Sequence, residues 1–460
     1  MQATGQQAVS ALSRSPMAAL LIVGLGTSVV PLDSAVNIGF PAIVAHFDLP
    51  IPMIQWIVIA YVLTQTALML TFGRAGDMLG YRRIFLFGTG ISAVAFLACA
   101  LAPSYAALLL ARIVQGIGAG LILSCGPALA TSLFPEAMRA RILGYYMMMF
   151  GIGFALGPTV FGVLVDRFGW SAVFSFRAPV ALAAFLLAWT LPRQPRGERE
   201  TFDAAGGVLL AAALSFLLLT LNRLWPPGLL TALFAIIAAA SFSLFYRQEH
   251  RAPQPIIDFT YFRGAGFTLI NVMNVVNNVA AFSIMLLAPF YLSRIPGLSL
   301  PEAGLLLGLA PFGIVLAAPV AGRMASRISP RIIALIGCAF SALGLFGISL
   351  SETTPNIPLL AASMAVQGFG IGLFQVAYFD IVTEAIPARN RGVAGALGMA
   401  TRTIGTVTGA TVLMLVFQSL QSAGTGFMAA FQLTFRIAAA MPVVLILADL
   451  ARGWRAREDA

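Results

Sequence analysis

Apolar segments of about 20 residues or more recur along the whole chain and are separated by short polar loops. A segment of this length and composition spans the hydrocarbon core of a bilayer as an α-helix, so the pattern predicts an all-α polytopic membrane protein. We number the segments as spans 1 to 14, which cover residues 17–41, 52–73, 82–102, 105–132, 139–165, 171–191, 204–222, 228–246, 264–292, 302–322, 331–350, 357–381, 391–418 and 428–451.

A repeat relates the first part of the chain to the last. The segment Val114–Leu121 recurs as Val366–Leu373, at an offset of 252 residues. Spans 1–6 therefore correspond to spans 9–14 in the same orientation, which indicates two pseudo-symmetric halves of the kind found in transporters. Shorter matches at similar offsets pair Gly73-Arg74 with Gly322-Arg323, Pro135 and Arg139 with Pro387 and Arg391, Gly153 and Gly157 with Gly405 and Gly409, and Phe176-Arg177 with Phe435-Arg436.

The offset is longer than six helices require, and spans 7 and 8 account for the excess as a hairpin between the halves. We expect an N-terminal six-helix bundle in residues 1–192, a cytosolic linker with the inserted helices in 193–247, and a C-terminal six-helix bundle in 248–460. The repeated glycines lie inside spans 4 and 12, where small residues let helices pack closely. No strand precedes them, which argues against a nucleotide-binding loop.

The composition excludes a soluble domain, since 59% of the residues are hydrophobic, 10% are charged and the mean hydropathy is +0.92. All 27 basic residues are arginine, and the net charge is +10. Most loop arginines lie on the side that holds both termini, and only Arg167, Arg223 and Arg294 lie in loops on the other side. The charge is therefore a topology signal rather than a nucleic-acid-binding surface. It predicts a multi-pass protein of the plasma (inner) membrane with both termini in the cytoplasm.

Five short motifs occur in a fixed order. They are LDSAVNIGFP at Leu32–Pro41 in span 1, GRAGDMLGYRR at Gly73–Arg83 after span 2, RIVQG at Arg112–Gly116 in span 4, Gly153-x-x-x-Gly157-Pro158 in span 5, and PIID at Pro255–Asp258 followed by Phe262-Arg263 before span 9. In this order they resemble the motifs of the major facilitator superfamily and, within it, of the fourteen-span drug:proton antiporter family. The resemblance implies two six-helix bundles plus an inserted two-helix hairpin. It also implies proton-coupled export of small amphiphilic compounds or drugs by alternating access, with the proton gradient as energy source and no cofactor.

Two charged residues lie deep within predicted spans. Asp33 is eight residues from the end of span 1 at Pro41, and Arg112 is about seven residues from the start of span 4. At 1.5 Å per residue both lie roughly 10–12 Å below the outer surface, where a charge is costly unless it is paired or hydrated. The resemblance places spans 1 and 4 beside the central cavity. We therefore expect Asp33 to take up a proton from outside and Arg112 to control its release; the alternative is a static salt bridge between two helices.

Polar side chains on spans 9 and 12 are candidates for the wall of a substrate cavity. Asn271, Asn274 and Asn278 follow helical spacing and share one face of span 9. Amides there would hydrogen-bond a substrate or water, and the alternative is hydrogen bonding between helices. The complete candidate set for the cavity is Asn37, Gln115, Asn271, Asn274, Asn278, Gln367, Gln375 and Tyr378.

The resemblance assigns roles to two further motifs. The loop after span 2 would form a gate that locks the cytosolic side when the outside is open, although a solvated turn is the alternative. Pro158 removes an intrahelical hydrogen bond, so Gly157-Pro158 should bend span 5. The family role of Gly153, Gly157 and Pro158 is an antiporter motif that prevents proton leak, and the alternative is a packing kink. The gate residues are Gly73, Arg74, Asp77, Gly80, Arg82 and Arg83.

Three other arginines lie within spans. Arg177, at a position where the family commonly has Asn, and Arg436 are shallow, so we expect their side chains to reach the outer interface. Arg402 lies near the middle of span 13, and its candidate partner, Asp380, lies closer to the cytosol. Because Asp33 is the one deep acid, we expect neutral, amphiphilic or weakly acidic substrates rather than dications.

Catalysis is not expected, because an enzyme needs clustered nucleophiles, bases or metal ligands. The only histidines, His46 and His250, fall in loops on opposite faces. We expect no metal site, and the partners should be a small-molecule substrate, protons and the lipid bilayer, without nucleic acid, for a monomeric chain. The nearest alternative is a metabolite importer or exporter of the same fold, since a fold does not determine its substrate. A membrane-embedded enzyme or receptor is the more distant alternative.

Overall fold

The structure is a computed structural model that describes residues 15–49, 53, 55–192, 203–223, 228–253, 255–352 and 356–458. Every regular element in these residues is a helix, which confirms the all-α prediction. Thirteen helices in the described part of the chain are long and apolar enough to cross a membrane. Predicted span 6 is shorter and is divided into the helices Ala172–Ser175 and Arg177–Ala188.

Twelve of the predicted spans are single α-helices whose bounds mostly follow the predicted segments within a few residues. They are Gln55–Leu79 (span 2), Tyr81–Ala100 (span 3), Tyr105–Ser132 (span 4), Arg139–Phe168 (span 5), Ala204–Asn222 (span 7), Leu229–Glu249 (span 8), Ala265–Leu292 (span 9), Leu300–Met324 (span 10), Pro330–Ile348 (span 11), Ile357–Ala385 (span 12), Arg391–Ser422 (span 13) and Phe427–Glu458 (span 14).

Span 1 is divided into three pieces, so the prediction of one continuous segment is wrong. An α-helix, Pro16–Ser28, is followed by a 3-10 helix, Pro31–Gly39, and by a second α-helix, Phe40–Phe47. Pro31 has no N–H to donate to the preceding turn, which helps to end the first α-helix. The 3-10 helix has nine residues, which is long for this type, and such segments often mark functional sites. Asp33 lies in its first turn.

The repeated glycines pack their spans against equivalent neighbours in the two halves. A Cβ on Gly116 of span 4 would lie 2.7 Å from the carbonyl oxygen of Tyr61 in span 2. A Cβ on Gly368 of span 12 would overlap the carbonyl oxygen of Ala310 in span 10. The duplicated motif is therefore a shared packing scaffold, and the next repeated glycines face spans 3 and 11 in the same way: Gly118 and Gly370.

The inserted hairpin of spans 7 and 8 contacts both halves. A Cβ on Gly207 of span 7 would lie 3.1 Å from the Thr71 Cγ2 atom of span 2. Towards the other end of span 7, the Thr411 hydroxyl of span 13 donates a 2.9 Å hydrogen bond to the carbonyl oxygen of Leu221. Span 7 thus bridges one helix of each half. Residues 193–202 of the predicted linker lie outside the described residues.

Candidate functional site

Asp33 lies at the centre of a buried ion-pair cluster that joins spans 1, 4 and 6. Arg112 binds it in bidentate fashion, with Nη1 2.7 Å from Oδ1 and Nη2 2.8 Å from Oδ2. Arg177 Nη1 donates to Oδ1 at 2.8 Å, and Gln115 Nε2 donates to the same oxygen at 2.9 Å. The expected pair of Asp33 and Arg112 is therefore present. Gln115, predicted to line the substrate cavity, belongs to this cluster.

Aromatic rings and a backbone carbonyl enclose both guanidiniums of this cluster. The Arg112 Cζ atom lies 4.4 Å from the centre of the Tyr61 ring, and its Nε donates a 2.9 Å hydrogen bond to the carbonyl oxygen of Ile57. The Arg177 Cζ atom lies 4.3 Å from the centre of the Phe96 ring. Neither arginine side chain is exposed, whereas 13% of the Asp33 side chain is. Two buried positive charges thus face one negative charge.

The structure contradicts the expectation that Arg177 reaches the outer interface. Its side chain is fully buried, whereas Arg436, its expected counterpart, is exposed. The preceding phenylalanines are reversed as well, because Phe176 is 42% exposed and Phe435 is buried. The interruption of span 6 at Phe176 starts a new helix at Arg177, whose side chain points into the bundle. The two Phe-Arg pairs match in sequence but not in orientation.

The glycines of the span 5 motif position the segment that carries Asp33. A Cβ on Gly153 would overlap the carbonyl oxygen of Ser28, and a Cβ on Gly157 would overlap the hydroxyl of Ser34. Only glycine therefore lets span 5 approach the interrupted part of span 1 so closely. The side chain of Pro158 lies outside the described residues, so the bend expected there stays a prediction.

The candidate cavity residues of spans 9 and 12 form a hydrogen-bonded network in the C-terminal half. Gln375 Nε2 and Asn278 Nδ2 both donate to Asn274 Oδ1, at 3.0 Å. The Tyr378 hydroxyl donates to Asn271 Oδ1 at 2.8 Å. All five side chains are buried. Most of their polar groups are hydrogen-bonded, as in the alternative of hydrogen bonding between helices, but Gln375 Oε1 has no partner among the described residues. Contact with a substrate stays a prediction.

Span 13 completes this amide network. Asn274 Nδ2 donates to the Thr401 hydroxyl at 2.8 Å, so the network joins spans 9, 12 and 13. Gln367 of span 12 is buried, and its Nε2 atom has no hydrogen-bond partner among the described residues. The side chain of Asn37, the remaining candidate, lies outside the described residues.

Part of the predicted gate joins the two halves. Asp77 Oδ1 accepts a 2.7 Å hydrogen bond from the backbone N–H of Gly392, at the start of span 13. The carboxylate therefore caps this helix, whose N-terminus favours a negative charge. Arg74 Nη1 donates to Asn390 Oδ1 at 3.2 Å. A Cβ on Gly73 would lie 2.6 Å from the carbonyl oxygen of Gly392, so glycine allows the backbones to meet.

For the other three gate residues, the described surroundings belong to the N-terminal half. Arg82 Nη2 donates a 2.6 Å hydrogen bond to the carbonyl oxygen of Trp189 at the end of span 6. Gly80 has a φ of 90°, which glycine adopts without strain, and it forms the turn before span 3. Arg83 is exposed and lines a groove of about 1070 Å³ with Phe87.

A second group of ion pairs, which the sequence interpretation missed, joins the halves at the Asp77 end. Arg139 Nε lies 2.8 Å from Asp380 Oδ1 of span 12, and Glu136 pairs with both Arg139 and Arg391. Asp380 is therefore engaged by Arg139 and is not the partner of Arg402, in line with its predicted position closer to the cytosol. The recurrence of Arg139 as Arg391 in the two halves was the signal that could have identified these contacts.

Spans 5 and 10 pack against each other across the two halves. Near Asp77, a Cβ on Gly322 of span 10 would lie 2.9 Å from the Arg141 Cα atom of span 5. Further along the pair, a Cβ on Gly151 of span 5 would lie 3.1 Å from the Val315 Cγ2 atom of span 10. Gly304 and Gly308 continue the Gly322 face of span 10 at helical spacing. A Cβ on either would meet no described atom within 4 Å.

Comparisons with known proteins match nearly the whole chain. A family model described as Major Facilitator Superfamily matches residues 17–271 and 269–460. The chain is 29% identical to the riboflavin transporter RibZ of Clostridioides difficile over 82% of each protein. It is 30% identical to the tetracenomycin C resistance and export protein of Streptomyces glaucescens, over 89% of this chain and 77% of that protein. It is 31% identical to the methylenomycin A resistance protein of Streptomyces coelicolor, over 84% of this chain and 82% of that protein.

Two solved structures resemble the fold at low sequence identity. The human organic anion transporter MFSD10 (TETRAN) superimposes with a TM-score of 0.67 at 14% identity, over 94% of this chain and 99% of that one. The proton:xylose symporter XylE superimposes with a TM-score of 0.64 at 16% identity, over 94% of both chains. At these identities the likeness concerns the fold alone.

Proposed function

This chain belongs to the Major Facilitator Superfamily, and on that premise we propose that it is a proton-coupled antiporter that exports small amphiphilic compounds by alternating access. The family and its structural neighbours are transporters, so the chain is a membrane transporter and not an enzyme. The names of two relatives, which include resistance or export, support export of drug-like compounds.

The Asp33 cluster is the observation that carries the proposal. Both carboxylate oxygens accept hydrogen bonds from Arg112, and Oδ1 also accepts from Arg177 and Gln115. Three donors crowd Oδ1, so a proton competes with them there and can bind this oxygen only if at least one donor withdraws. Since the donors lie on spans 4 and 6 and the acceptor on span 1, binding of a proton would favour a different arrangement of these helices.

The conformation supports the same cycle. The arginine distribution favours a cytoplasmic position for the Asp77 end and both termini. In this proposal the Asp77 cap on span 13 and the Arg139–Asp380 pair close the cytosolic side. The state would then be outward-facing, and Asp33 would receive its proton from outside the cell.

The inserted hairpin supports membership in the fourteen-span drug:proton antiporter family. Thirteen described helices are long enough to cross the membrane, and the divided helices of span 6 would supply the fourteenth crossing. In this proposal residues 1–192 and 248–460 form the two bundles of a monomer in the plasma membrane.

Metabolite transport by the same fold is the second candidate. The similarity to the riboflavin transporter RibZ over 82% of each protein favours it as much as the other names favour drug export. Riboflavin therefore belongs in any substrate panel for this protein.

The test uses the purified full-length protein in liposomes with an acidic lumen. We expect accumulation of at least one compound from a panel of amphiphilic drugs and riboflavin, and its loss with a protonophore. Asp33→Asn should equilibrate the same compound without accumulating it. Asp449→Asn is the matched control, because Asp449 is a buried carboxylate that pairs with Arg331 on the far side of the C-terminal half.

Two results would contradict the proposal. Full accumulation by Asp33→Asn would remove Asp33 from proton coupling. Accumulation that requires an acidic exterior would identify an importer that moves protons and substrate in the same direction.

A further inference from the structure

Arg402 of span 13 lies at the seam between the two halves. Its Cζ atom is 4.3 Å from the centre of the Phe150 ring on span 5 of the opposite half. The residue is partly exposed although it belongs to the interior of the bundle. Within the described part of the chain, its guanidinium donates no hydrogen bond and forms no ion pair. Arg112 and Arg177 by contrast both form an ion pair with Asp33.

The neighbours of Arg402 place its side chain inside the bundle. Tyr146, one turn before Phe150, packs its hydroxyl group against Gly126 of span 4. This face of span 5 therefore points inward rather than towards lipid. On its own helix, Arg402 follows Thr401, which takes part in the amide network of the C-terminal half. The guanidinium thus lies between the charged cluster of one half and the neutral network of the other.

The interior acids do not neutralise this charge. Asp33 is occupied by two arginines, and Asp380 is held by Arg139 at the gate. The deep part of the described bundle therefore holds three guanidiniums and one carboxylate. An uncompensated charge inside a membrane protein is costly, and such residues typically serve function.

We propose that Arg402 binds the negatively charged group of the transported compound, so that the substrates are organic monoanions with an aromatic or apolar body. A guanidinium stacked on an aromatic ring keeps its N–H edge available for a bidentate contact with a carboxylate or sulfonate. Phe150 supplies an apolar surface beside that edge. The positive interior also disfavours cations, which adds selectivity by repulsion.

This inference rests on the proposed function, since it assumes that the interior site receives the transported compound. Beyond the proposed function, it specifies the charge of the transported compound and implies one consequence for transport. Arg402 and Phe150 belong to different halves, so a bound anion contacts both halves at once and can influence their relative position.

The test measures binding by isothermal titration calorimetry with purified full-length protein. Three probes share one apolar body and differ in charge: 2-naphthalenesulfonate, 2-naphthalenesulfonamide and 2-naphthyltrimethylammonium. We expect the wild-type protein to bind the sulfonate on the order of ten-fold more tightly than the other two. Arg402→Gln should abolish that preference, and Arg402→Lys should retain part of it.

Arg294→Gln is the matched control. The Arg294 Cζ atom also stacks on an aromatic ring, 3.4 Å from the centre of Phe427, but it lies at the exposed end of span 9. This variant should keep the preference for the sulfonate. Because the Arg402 guanidinium has no hydrogen-bond or ion-pair partner to lose among the described residues, Arg402→Gln should lower the melting temperature little, whereas loss of a structural ion pair would lower it clearly.

The proposal is overturned if the wild-type protein binds the three probes equally, prefers the cation, or does not bind the sulfonate. It is also overturned if Arg402→Gln weakens all three probes alike. Equilibrium binding needs no proton gradient, so anion selectivity can be present even if the Asp33→Asn transport experiment shows no coupling. The two proposals therefore fail independently.

Discussion

Spans 1 and 9 are counterparts in the two halves, yet the polar groups beside them differ in kind. Span 1 carries Asp33, bound by two buried arginines. Span 9 carries the neutral amides Asn271 and Asn274, which bind Tyr378 and Gln375. A carboxylate can bind a proton in place of a guanidinium and so change its charge, whereas an amide stays neutral. The half with spans 1 to 6 is thus the one equipped to respond to protons.

The surrounding packing is nevertheless the same in both halves. Gly153 and Gly157 of span 5 pack against the backbone or side chains of span 1. In the other half, a Cβ on Gly405 of span 13 would overlap the carbonyl oxygen of Val275, and one on Gly409 would lie 2.7 Å from that of Val279. The same glycine packing therefore supports an ion-pair cluster in one half and a neutral amide network in the other. The halves differ in their polar side chains and not in this packing.

Removal of the Asp33 carboxylate should give the largest difference between the two halves in the free energy of unfolding that is lost. Asp33→Leu leaves two buried guanidiniums without a counter-charge and should lower the free energy of unfolding by about 3–5 kcal/mol. Tyr378→Phe removes the hydroxyl that hydrogen-bonds Asn271 and Thr401 in the neutral network and should cost about 1–2 kcal/mol. Denaturant titration of the detergent-solubilised protein compares the two. Equal losses would show that the charged cluster is no more critical to stability than the amides.

The shared scaffold should respond equally in both halves. Gly118→Val and Gly370→Val force a side chain into contacts that already exclude a Cβ, so each should cost about 1–3 kcal/mol. Gly308→Val is the control, because a Cβ there meets no described atom within 4 Å. The same titration applies, and a loss confined to one half would refute the equivalence of the repeat.

The smallest effect should appear where the halves meet. Asp77→Asn removes the charge from the cap of span 13 and should weaken it by about 0.5–1 kcal/mol. The outward-facing state should then be less populated, which lowers the alkylation rate of a thiol introduced by Gly308→Cys about two- to five-fold. The native cysteines are buried and provide a low background.

The control for the gate is Asp166→Asn, which changes an exposed acid near the opposite end of span 5. This variant should leave the alkylation rate unchanged. An equal decrease in both variants would mean that surface charge in general, rather than the contact with span 13, controls the opening.

Periodicity and repetition predicted those features that depend on distance along a helix. The equal depths of Asp33 and Arg112 pointed to the pair, and the duplicated glycines to the packing of spans 4 and 12. Arg177 is six residues into its predicted span, a depth interpreted as shallow enough for its side chain to reach the outer interface. It was missed because rotation about the helix axis, set by the break at Phe176, is not determined by depth.

Contacts between the halves were harder to infer. The sequence offered Asp380 only as a candidate partner of Arg402 and gave no sign of its actual partner, Arg139, which the packing of spans 5 and 12 brings close. The interruption of span 1 was also missed, since its apolar composition continues through Pro31. Hydrophobicity reports where a chain enters the membrane, and it does not report where a helix within the membrane changes its pitch.

The bridge made by span 7 has a mechanical consequence. Span 7 meets span 13 through the hydrogen bond between Thr411 and Leu221, but it meets span 2 through the apolar contact of Gly207 with Thr71. Because these two contacts belong to different halves, span 7 cannot keep both unchanged when the halves tilt against each other. The hairpin must therefore shift against at least one half in every transport cycle that the proposed function implies.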